Sequence, residues 1–266
     1  MKIVTWNINS IRLRLPSLLN LIDILNPDII CLQETKCPDD KFPYDELVAA
    51  GFPYIVKNGQ PSYNGVAILS KIKIHNILQH DFCNKKDSRY IGIETSNTKD
   101  IGPLVIHNFY VPAGGDDPNP QINEKFHHKL LFLDEMKDYL SKFTETSIGQ
   151  IVTGDLNIAP HENDVWSHKS LKNTISHTEI EINKLNNICD PEIWCDALRH
   201  GIPDSEKIYT WWSYRNKDWE KSNRGRKLDH IWITKNIEEF KKDLLIYKDA
   251  RNWERPSDHV PVMITL

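Results

Sequence analysis

The sequence predicts a layered α/β fold in which one β-sheet packs on another. Two observations lead to this prediction. Short apolar runs rich in β-branched residues recur along the whole chain, each bounded by Gly, Pro, Asn or Asp. A few amphipathic helical stretches lie between them, as expected for sheets covered by helices. The sequence contains no solenoid-period repeat and no low-complexity linker, so we expect one domain over residues 1–266.

Ten apolar runs have the length and the bounding residues of β-strands. Their β-branched and aromatic side chains favour a pleated, largely buried surface. The predicted strands are residues 2–6, 28–32, 54–57, 65–70, 90–95, 104–109, 149–153, 230–234, 244–247 and 260–266.

Three stretches between the strands have helical periodicity. The first has apolar residues at positions 18, 22 and 25 and is predicted to end at Pro27. The second keeps an apolar face from Phe126 to Leu140. The third opens with Thr178 and Glu181, three residues apart, which is the spacing of a capping box.

Composition limits the function classes that need to be considered. The formal net charge of −4 and the sequence pI of about 6.3 argue against a general polyanion binder. Affinity for nucleic acid would therefore need a local basic surface or bound metal ions. The five cysteines are odd in number and form no CxxC pair, so their spacing indicates neither a disulfide framework nor a zinc site.

The same features predict a location and exclude a membrane role. An odd set of unpatterned cysteines is typical of reduced, intracellular thiols. The N-terminal apolar run is interrupted by Asn7 and Asn9, unlike the apolar core of a signal peptide. No stretch approaches the roughly 20 apolar residues of a membrane span. We therefore expect a cytoplasmic protein with no membrane partner.

Polar residues recur where the predicted strands begin or end. Any one of them is explained as well or better by a turn, because Asp and Asn close turns by bonding their own backbone. Taken together, they supply carboxylates, amides, a phenol and an imidazole that a sandwich brings to one rim. The residues are Asn7, Glu34, Tyr110, Asp155, Asn157, Asp229, Asp258 and His259.

These residue types suit one kind of chemistry. Hard oxygen ligands without a cysteine or multi-histidine set favour Mg²⁺ or Mn²⁺, which also take up phosphate oxygens. A histidine beside acids donates to a phosphoryl oxygen or transfers a proton. The sequence lacks both the GxxxxGK[ST] loop and the GxSxG elbow. Attack of water on a phosphodiester, assisted by a metal ion and an imidazole, is the reaction that fits.

Seven motifs occur in one order along the chain. They are WNIN at 6–9, CLQETK at 31–36, YNGVAI at 63–68, NFYVP at 108–112, GDLN at 154–157, LD at 228–229 and SDHVP at 257–261. With these motifs the chain resembles, from end to end, the bacterial exonuclease III and AP endonuclease family of the exonuclease–endonuclease–phosphatase superfamily. The resemblance implies a four-layer α/β sandwich, with two packed mixed β-sheets flanked by helices.

The resemblance also implies an activity. Such enzymes are metal-dependent nucleases of base-excision repair. They hydrolyse the phosphodiester 5′ to abasic sites in duplex DNA and remove 3′ blocking groups or 3′ nucleotides. The implied cofactor is Mg²⁺ or Mn²⁺, the implied partner is double-stranded DNA with abasic or 3′-blocked ends, and we expect a monomer.

Roles carry over to the matching positions. Glu34 is implied to be the chief metal ligand, Asp155 to orient or deprotonate the attacking water, and Asn157 to position it. His259, polarised by Asp229, is implied to hold the scissile phosphate, and Tyr110 to contact the phosphate or the leaving oxygen. The expected catalytic residues are Tyr110, Asp155, Asn157, Asp229 and His259, and the expected metal-site residues are Asn7, Glu34, Asp155, Asn157, Asp258 and His259.

A DNA-facing loop is predicted at residues 209–228. Six basic residues stand there against Asp218 and Glu220, which leaves a local charge of +4: they are Arg215, Lys217, Lys221, Arg224, Arg226 and Lys227. Basic residues among aromatics suit phosphate contacts with stacking. By composition alone the tryptophans are also consistent with a mixed surface loop partly in the core. The predicted DNA-binding residues are Asn64, Trp211, Trp212, Arg215, Arg224, Arg226 and Lys227.

Some features leave alternatives open. The resemblance implies that Trp211 and Trp212 face a pocket for the flipped-out abasic sugar, and a second basic cluster is predicted at Lys85, Lys86 and Arg89. Ala113 stands where many relatives have Asn or Gln, and Asn9 where the animal branch often has Asp. Rival functions are a phosphoesterase for phosphoinositides or RNA on the same scaffold, and a non-catalytic DNA-binding module.

Overall fold

A computed structural model describes residues 1–96, 98, 101–144, 146–216 and 218–266. Its strands are β1 (Lys2–Asn7), β2 (Ile29–Gln33), β3 (Tyr54–Asn58), β4 (Val66–Ser70), β5 (Ile74–Leu78), β6 (Tyr90–Thr95), β7 (Leu104–Tyr110), β8 (Gly149–Asp155), β9 (Trp194–Asp196), β10 (Trp211–Trp212), β11 (Gly225–Arg226), β12 (Asp229–Thr234), β13 (Asp243–Ile246) and β14 (Val262–Thr265).

The helices vary in length from single turns to five turns. They are α1 (Leu15–Leu25), α2 (Tyr44–Ala49), α3 (Glu124–Ser141), α4 (His168–Leu171), α5 (Glu179–Ile188) and α6 (Trp219–Ser222). Short 3-10 helices span Asp39–Lys41, Phe82–Asn84, Glu162–Asp164, Lys235–Phe240 and Lys248–Asn252.

The strands form two mixed sheets. In the described residues, one six-stranded sheet has the order β13-β14-β1-β2-β4-β3 and the other has the order β5-β6-β7-β8-β12-β9. Strands β1 and β2 run parallel, as do β7 and β8, and the other pairs are antiparallel. Strands β10 and β11 form a separate two-stranded ribbon.

The two sheets pack face to face and a helical layer covers each outer face. Alternate residues of β1 face opposite ways, as strand geometry requires. Ile3 belongs to the core between the sheets, whereas Val4 packs in the core beneath α1. On the other side, Val152 of β8 packs with Phe132 of α3 and Leu185 of α5. The predicted four-layer α/β sandwich is confirmed.

Most elements follow the sequence pattern. Each of the ten predicted strands overlaps an observed one, and the last is shorter because Pro261, which lacks an N–H, precedes β14. Helix α1 ends at Leu25, and its C-cap Asn26, one residue before Pro27, has the left-handed conformation. Helix α5 begins with the predicted capping box of Thr178 and Glu181. Strands β5, β9, β10 and β11 were not predicted because they are short or lie at edges.

Across the described residues, no helix combines the length and the apolar character that a bilayer crossing requires.

Candidate active site

The predicted polar strand ends meet at one edge of the sandwich. Asn7 is the last residue of β1, and Glu34 directly follows β2, which runs parallel to β1. Asp155 ends β8, and Asp229, the first residue of the antiparallel strand β12, lies opposite it in register. Since parallel strands end at the same edge, their terminal side chains converge. The sheet topology therefore brings residues far apart in sequence into one site.

The side-chain amide of Asn7 joins three of these residues. Its Nδ2 donates to Glu34 Oε1 and to Asp155 Oδ2, each over 2.8 Å, and lies 3.4 Å from His259 Nε2. Its oxygen accepts from the backbone N–H of Asn9 over 3.1 Å, which fixes the orientation of the amide. Because the N–H groups and not the oxygen face the carboxylates, Asn7 orients those carboxylates here. The role of Asn7 as a metal ligand stays a prediction.

His259 lies between two carboxylates. Its Nδ1 is 2.8 Å from Asp229 Oδ2 and its Nε2 is 3.6 Å from Asp155 Oδ2. Burial alone would lower the pKa of His259, but the charges of Asp229 and Asp155 and the hydrogen bond to Asp229 raise it to about 10. In this protonated form the imidazole can donate a hydrogen bond or a proton. Asp155, Asp229 and His259 also offer ligand atoms within 4.8 Å of one another, a grouping that could hold a metal ion. The ligand role of His259 therefore stays a prediction beside its proton-donating role.

Asp155 is a buried carboxylate whose pKa lies near neutrality. Burial and the nearby charges of Asp229 and Glu34 raise its pKa to about 7, against the lowering effects of protonated His259 and the Asn7 amide. Its Oδ1 accepts from the backbone N–H of Asn157 over 2.9 Å. A carboxylate with this pKa is matched to proton abstraction at neutral pH.

Glu34 occupies a cation-binding position. The ammonium of Lys36 lies 2.7 Å from Glu34 Oε2 and donates to Asn9 Oδ1 over 2.7 Å. Burial would raise the pKa of Glu34, but the charge of Lys36 and hydrogen bonds from Asn7 and Lys36 lower it overall. Since a positive group already lies between these two oxygen donors, the residues present fit a hard divalent cation.

The backbone at Glu34 is strained. Its φ of 50° is in the left-handed region, which is uncommon for a non-glycine residue. The adjoining segment leaves no space for a side chain at Gly65, where a Cβ would lie 2.2 Å from Thr35 Oγ1. Such strain persists where the surrounding structure fixes the conformation, and it is common at functional sites.

Asp258 supports the rim of the site. Its Oδ1 accepts from Asn9 Nδ2 over 3.0 Å and its Oδ2 from Trp211 Nε1 over 2.9 Å. Burial would raise the pKa of Asp258, but the charge of His259 and these two hydrogen bonds lower it. Asp258 therefore orients Asn9 and Trp211 as an ionised carboxylate.

Tyr110 completes the site on the β7 side. Its hydroxyl donates to Glu34 Oε1 over 2.9 Å. Burial and the charges of Glu34 and Asp155 raise the pKa of Tyr110 well above its ordinary value, so the phenol stays protonated. The guanidinium of Arg89 lies 4.8 Å from the centre of the Tyr110 ring.

The turn after β8 is shaped for close packing. Gly154 has a φ of 139°, and a Cβ there would lie 1.9 Å from the carbonyl oxygen of Phe109. Asn157, also left-handed, donates from Nδ2 to the Val111 carbonyl over 2.9 Å and to Asp155 over 3.3 Å. These contacts hold Asp155 in the site. Ala113 is exposed, and because it is an alanine it offers this turn no polar side chain.

The predicted DNA-binding residues divide into accessible and buried sets. Arg215 and Arg224 are exposed, and Asn64, Trp211 and Arg226 are half-buried. Trp212 and Lys227 are both 0% exposed, so neither side chain is accessible to DNA in this structure. Trp212 Nε1 donates to Asn223 over 3.2 Å within a core cluster, and Lys227 Nζ lies 2.5 Å from Asp196 Oδ2 and 3.9 Å from Asp164 Oδ2.

The other predicted basic residues differ in how accessible they are. Lys85 and Lys86 are exposed, whereas Arg89 is half-buried against Tyr110. Arg226 donates to Ser176 Oγ over 2.7 Å and lies over the Trp211 ring, so its guanidinium is already engaged. Lys217 lies outside the described residues.

Sequence reasoning missed three residues at the rim. Lys36 is the last residue of the CLQETK motif, two residues after Glu34, and this spacing could have indicated it. Arg14 donates to the Tyr214 hydroxyl over 2.9 Å and to the Pro256 carbonyl over 3.0 Å, and Tyr214 is 47% exposed. Nothing local in the sequence indicates that Arg14 meets a loop about 200 residues away.

Comparison with known proteins agrees with this geometry. The pattern of the Endonuclease/Exonuclease/phosphatase family matches residues 4–259. The chain belongs to this family. Within it, the chain is 29% identical over 271 residues to exodeoxyribonuclease III of Haemophilus influenzae, covering 98% of both chains.

Solved structures of the family have the same fold. An AP endonuclease from Archaeoglobus fulgidus is 31% identical, with a TM-score of 0.91 and coverage of 100% of this chain and 99% of that one. The 3′ phosphatase NExo from Neisseria, bound to product DNA hairpin, is 30% identical, with a TM-score of 0.89 and the same coverage. The predicted family resemblance and enzyme class are confirmed: this family member is a phosphodiester hydrolase.

Proposed function

We propose that this family member is a metal-dependent DNA repair nuclease. It would hydrolyse the phosphodiester 5′ to abasic sites in duplex DNA and remove 3′ blocking groups or nucleotides. The observation that carries the proposal is the Asn7 amide, which bonds Glu34 and Asp155 over 2.8 Å each and lies 3.4 Å from His259. One centre thus joins a cation-holding carboxylate, a base and a protonated imidazole.

The cofactor is proposed to be Mg²⁺ or Mn²⁺. Glu34 would hold it, with Asn9 Oδ1 on the same side, because Lys36 already presents a positive charge to both oxygens. Both oxygens are hard donors, the type that these two ions prefer. When bound, the ion supplies positive charge that stabilises the phosphoryl oxygens as negative charge develops.

The chain's own groups account for the proton transfers. Asp155, with a pKa of about 7, would accept a proton from the attacking water, and the backbone N–H of Asn157 holds that carboxylate. Protonated His259 would donate from Nε2 to a phosphoryl oxygen, while Asp229 holds its Nδ1. Tyr110 donates its hydroxyl proton to Glu34 and, with its raised pKa, stays neutral at the rim.

DNA is the proposed substrate because the rim combines aromatic and basic groups. Tyr63 is 71% exposed beside Asn64, and Tyr214 is 47% exposed beside Arg215. The backbone of Trp211 forms a β-bridge with that of His259, and its half-buried indole donates to Asp258 over 2.9 Å. Stacking groups next to phosphate-binding groups suit a nucleotide strand, and an abasic nucleotide is extruded at little cost because no base is unstacked.

The names of the relatives support the same substrate class. Proteins similar over the full length are named exodeoxyribonuclease III and AP endonuclease, and one structure holds a DNA hairpin. We propose that the enzyme acts as a monomer.

The test is cleavage of a duplex that carries one abasic-site analogue. We expect a single cut 5′ to the lesion, its loss with EDTA and its recovery with Mg²⁺. Glu34→Gln, Asp155→Asn and His259→Asn should each lower the rate by about 10² or more. Glu46→Gln, at an exposed position of α2, is the matched control and should leave the rate unchanged.

Comparison substrates decide between the proposal and its rivals. An inositol polyphosphate and poly(A) are assayed in parallel with the abasic duplex and a 3′-phosphate duplex. If either comparison substrate is hydrolysed faster than the DNA duplexes, that substrate class and not DNA would be the natural one. Binding of the duplex without cleavage under any metal condition would indicate a non-catalytic module.

A further inference from the structure

A second group of metal-ligating side chains lies away from the candidate active site. It consists of Cys195 on β9, His200 in the following turn and Glu238 in the 3-10 helix Lys235–Phe240. One donor atom from each residue lies within 4.8 Å of the other two. His200 Nδ1 and Glu238 Oε1 are 3.2 Å apart. We call this group the Cys195 cluster.

The Cys195 cluster is held by rigid structure at the edge of the second sheet. Cys195 pairs with Ile233 of β12, and the turn holding His200 is closed by its N–H donating to the Asp196 carbonyl over 2.8 Å. Ile233 lies four residues along β12 from Asp229, which corresponds to roughly 13 Å along the strand. The cluster is therefore distinct from the site around Asp229 and His259.

The donor types define which ion fits. A thiolate, an imidazole and a carboxylate together are the ligands of Zn²⁺, whereas Mg²⁺ and Ca²⁺ prefer oxygen alone. Cys195 is 5% exposed, but the His200 side chain is 52% exposed and that of Glu238 is 24% exposed, which leaves an entry path. We propose that Cys195, His200 and Glu238 bind one Zn²⁺ ion, with water at the remaining position.

The proton and charge changes on binding are defined. Cys195 binds as the thiolate, so one proton leaves its sulfur for solvent as the Zn–S bond forms. Burial and the Glu238 carboxylate raise the pKa of this thiol to about 11, and Lys235 and Lys241 oppose that shift. A bound metal ion deprotonates such a thiol directly. Lys235 pairs with Glu238 Oε2 at 3.0 Å and leaves Oε1 toward His200.

Zinc at this position would link three separate segments. Strand β9 is at the edge of its sheet, and the ion would tie it to the following turn and to the 3-10 helix. A ligand that binds only the folded state raises the free energy of unfolding by RT ln(1 + [L]/Kd), where [L] is the free ligand concentration. The expected consequence is a zinc-dependent rise in melting temperature that does not require a functional active site.

Cobalt substitution tests the proposal. Co²⁺ is titrated into reduced, EDTA-treated, full-length protein, and we expect thiolate-to-cobalt charge-transfer absorption at one equivalent, removed by added Zn²⁺. Oxygen ligands such as Glu34 do not produce this band. Cys195→Ser should abolish it, and His200→Gln should weaken binding by about tenfold or more. Cys189→Ser, at a half-buried cysteine outside the cluster, and His75→Gln, at an exposed histidine, should bind like the parent.

Two results would overturn the assignment: no thiolate band in the parent protein, or an unchanged band in Cys195→Ser. If Cys195→Ser fails to fold, His200→Gln decides the question, because its side chain is half exposed and its replacement leaves the core intact. A zinc-induced rise in melting temperature that persists undiminished in His200→Gln also counts against the proposal.

Discussion

Lys129 and Glu181 form an ion pair closed off from solvent beneath the candidate active site. Lys129 Nζ lies 2.5 Å from Glu181 Oε1, and both side chains are 0% exposed. The same ammonium donates to the carbonyl oxygen of Asn157 over 2.8 Å and to that of Ala113 at 3.4 Å. One buried charge thus connects α3, α5 and the turn that carries Asp155.

Replacing Lys129 by methionine should destabilise the protein strongly. The change leaves the Glu181 carboxylate buried without a counter-ion, and breaking one side of a buried pair costs about 3–5 kcal/mol. Chemical denaturation measures the free energy of unfolding. Lys184→Met is the control, because Lys184 pairs with Asp134 at the surface and should contribute less than about 1 kcal/mol. Equal losses for both variants would contradict a special role for the buried pair.

Asp229→Asn should shift the alkaline limb of the pH–rate profile to lower pH. The charge of Asp229 is the first of the contacts that raise the pKa of His259 to about 10 against burial. Without that charge the imidazole loses its proton at lower pH, so a step that needs protonated His259 fails earlier as pH rises. We expect a shift of about 1–3 pH units, measured as kcat on abasic duplex at saturating Mg²⁺.

The metal titration provides the check on that variant. Asp229 makes no contact with Glu34, so the Mg²⁺ concentration for half-maximal rate should stay close to that of the parent. A profile with an unmoved alkaline limb would remove the Asp229–His259 pair from the proton transfer.

Lys36→Met should tighten metal binding. The Lys36 ammonium lies 2.7 Å from Glu34 Oε2, where it competes with or repels a divalent cation. Because the pair is partly exposed, we expect a gain in Mg²⁺ affinity of about threefold to tenfold, measured by calorimetry without DNA. Lys57→Met, at a lysine that bonds the Asp39 carbonyl, is the control. Weaker Mg²⁺ binding in Lys36→Met would mean that Lys36 supports the site instead of competing with the metal.

The meeting of the site residues could be predicted from sequence, because short polar motifs followed strands whose ends share one edge. The burial of one tryptophan of the pair and not the other could not be predicted. Trp211 and Trp212 form β10, where successive side chains point to opposite faces, so one contacts Asp258 and the other enters the core. The sequence contains both equally, and only the position of the ribbon decides which is buried.

The ion pairs of Lys227 could not be predicted from the sequence either. A count along the loop treats it like Arg224, yet its partners Asp164 and Asp196 come from distant segments. The orientation of the Asn7 amide is a further case, because it depends on the Asn9 backbone N–H at a left-handed residue. Patterns identify which residues gather, whereas long-range contacts determine what each atom faces.

The free energy of unfolding should fall as the pH is lowered, because His107 is buried in its neutral form. Burial lowers the pKa of His107 to about 4, and its ring bonds Tyr90 and Gln150. The unfolded chain takes up a proton below pH ~6.5 while the folded chain does not until pH 4, so this contribution is complete above pH ~6.5 and is lost as pH falls. Between pH 7 and 5 the loss from this residue is about 2 kcal/mol. His107→Gln should reduce the measured pH dependence by that amount, and an unchanged slope would contradict the buried neutral form.

Replacing Arg224 should change the salt dependence of DNA binding, whereas replacing Lys227 should not. Arg224 is exposed, with its guanidinium 4.8 Å from the Trp166 ring centre, so it is free to contact a phosphate. Arg224→Ala should lower the magnitude of the slope of log affinity against log salt by about 1, measured on abasic duplex in EDTA. Lys227→Met should leave the slope unchanged and instead destabilise the fold by about 3–5 kcal/mol, because Asp196 loses its ion-pair partner, whereas Asp164 keeps Arg199. A reduced slope in Lys227→Met with unchanged stability would mean that Lys227 leaves its ion pairs and contacts the DNA.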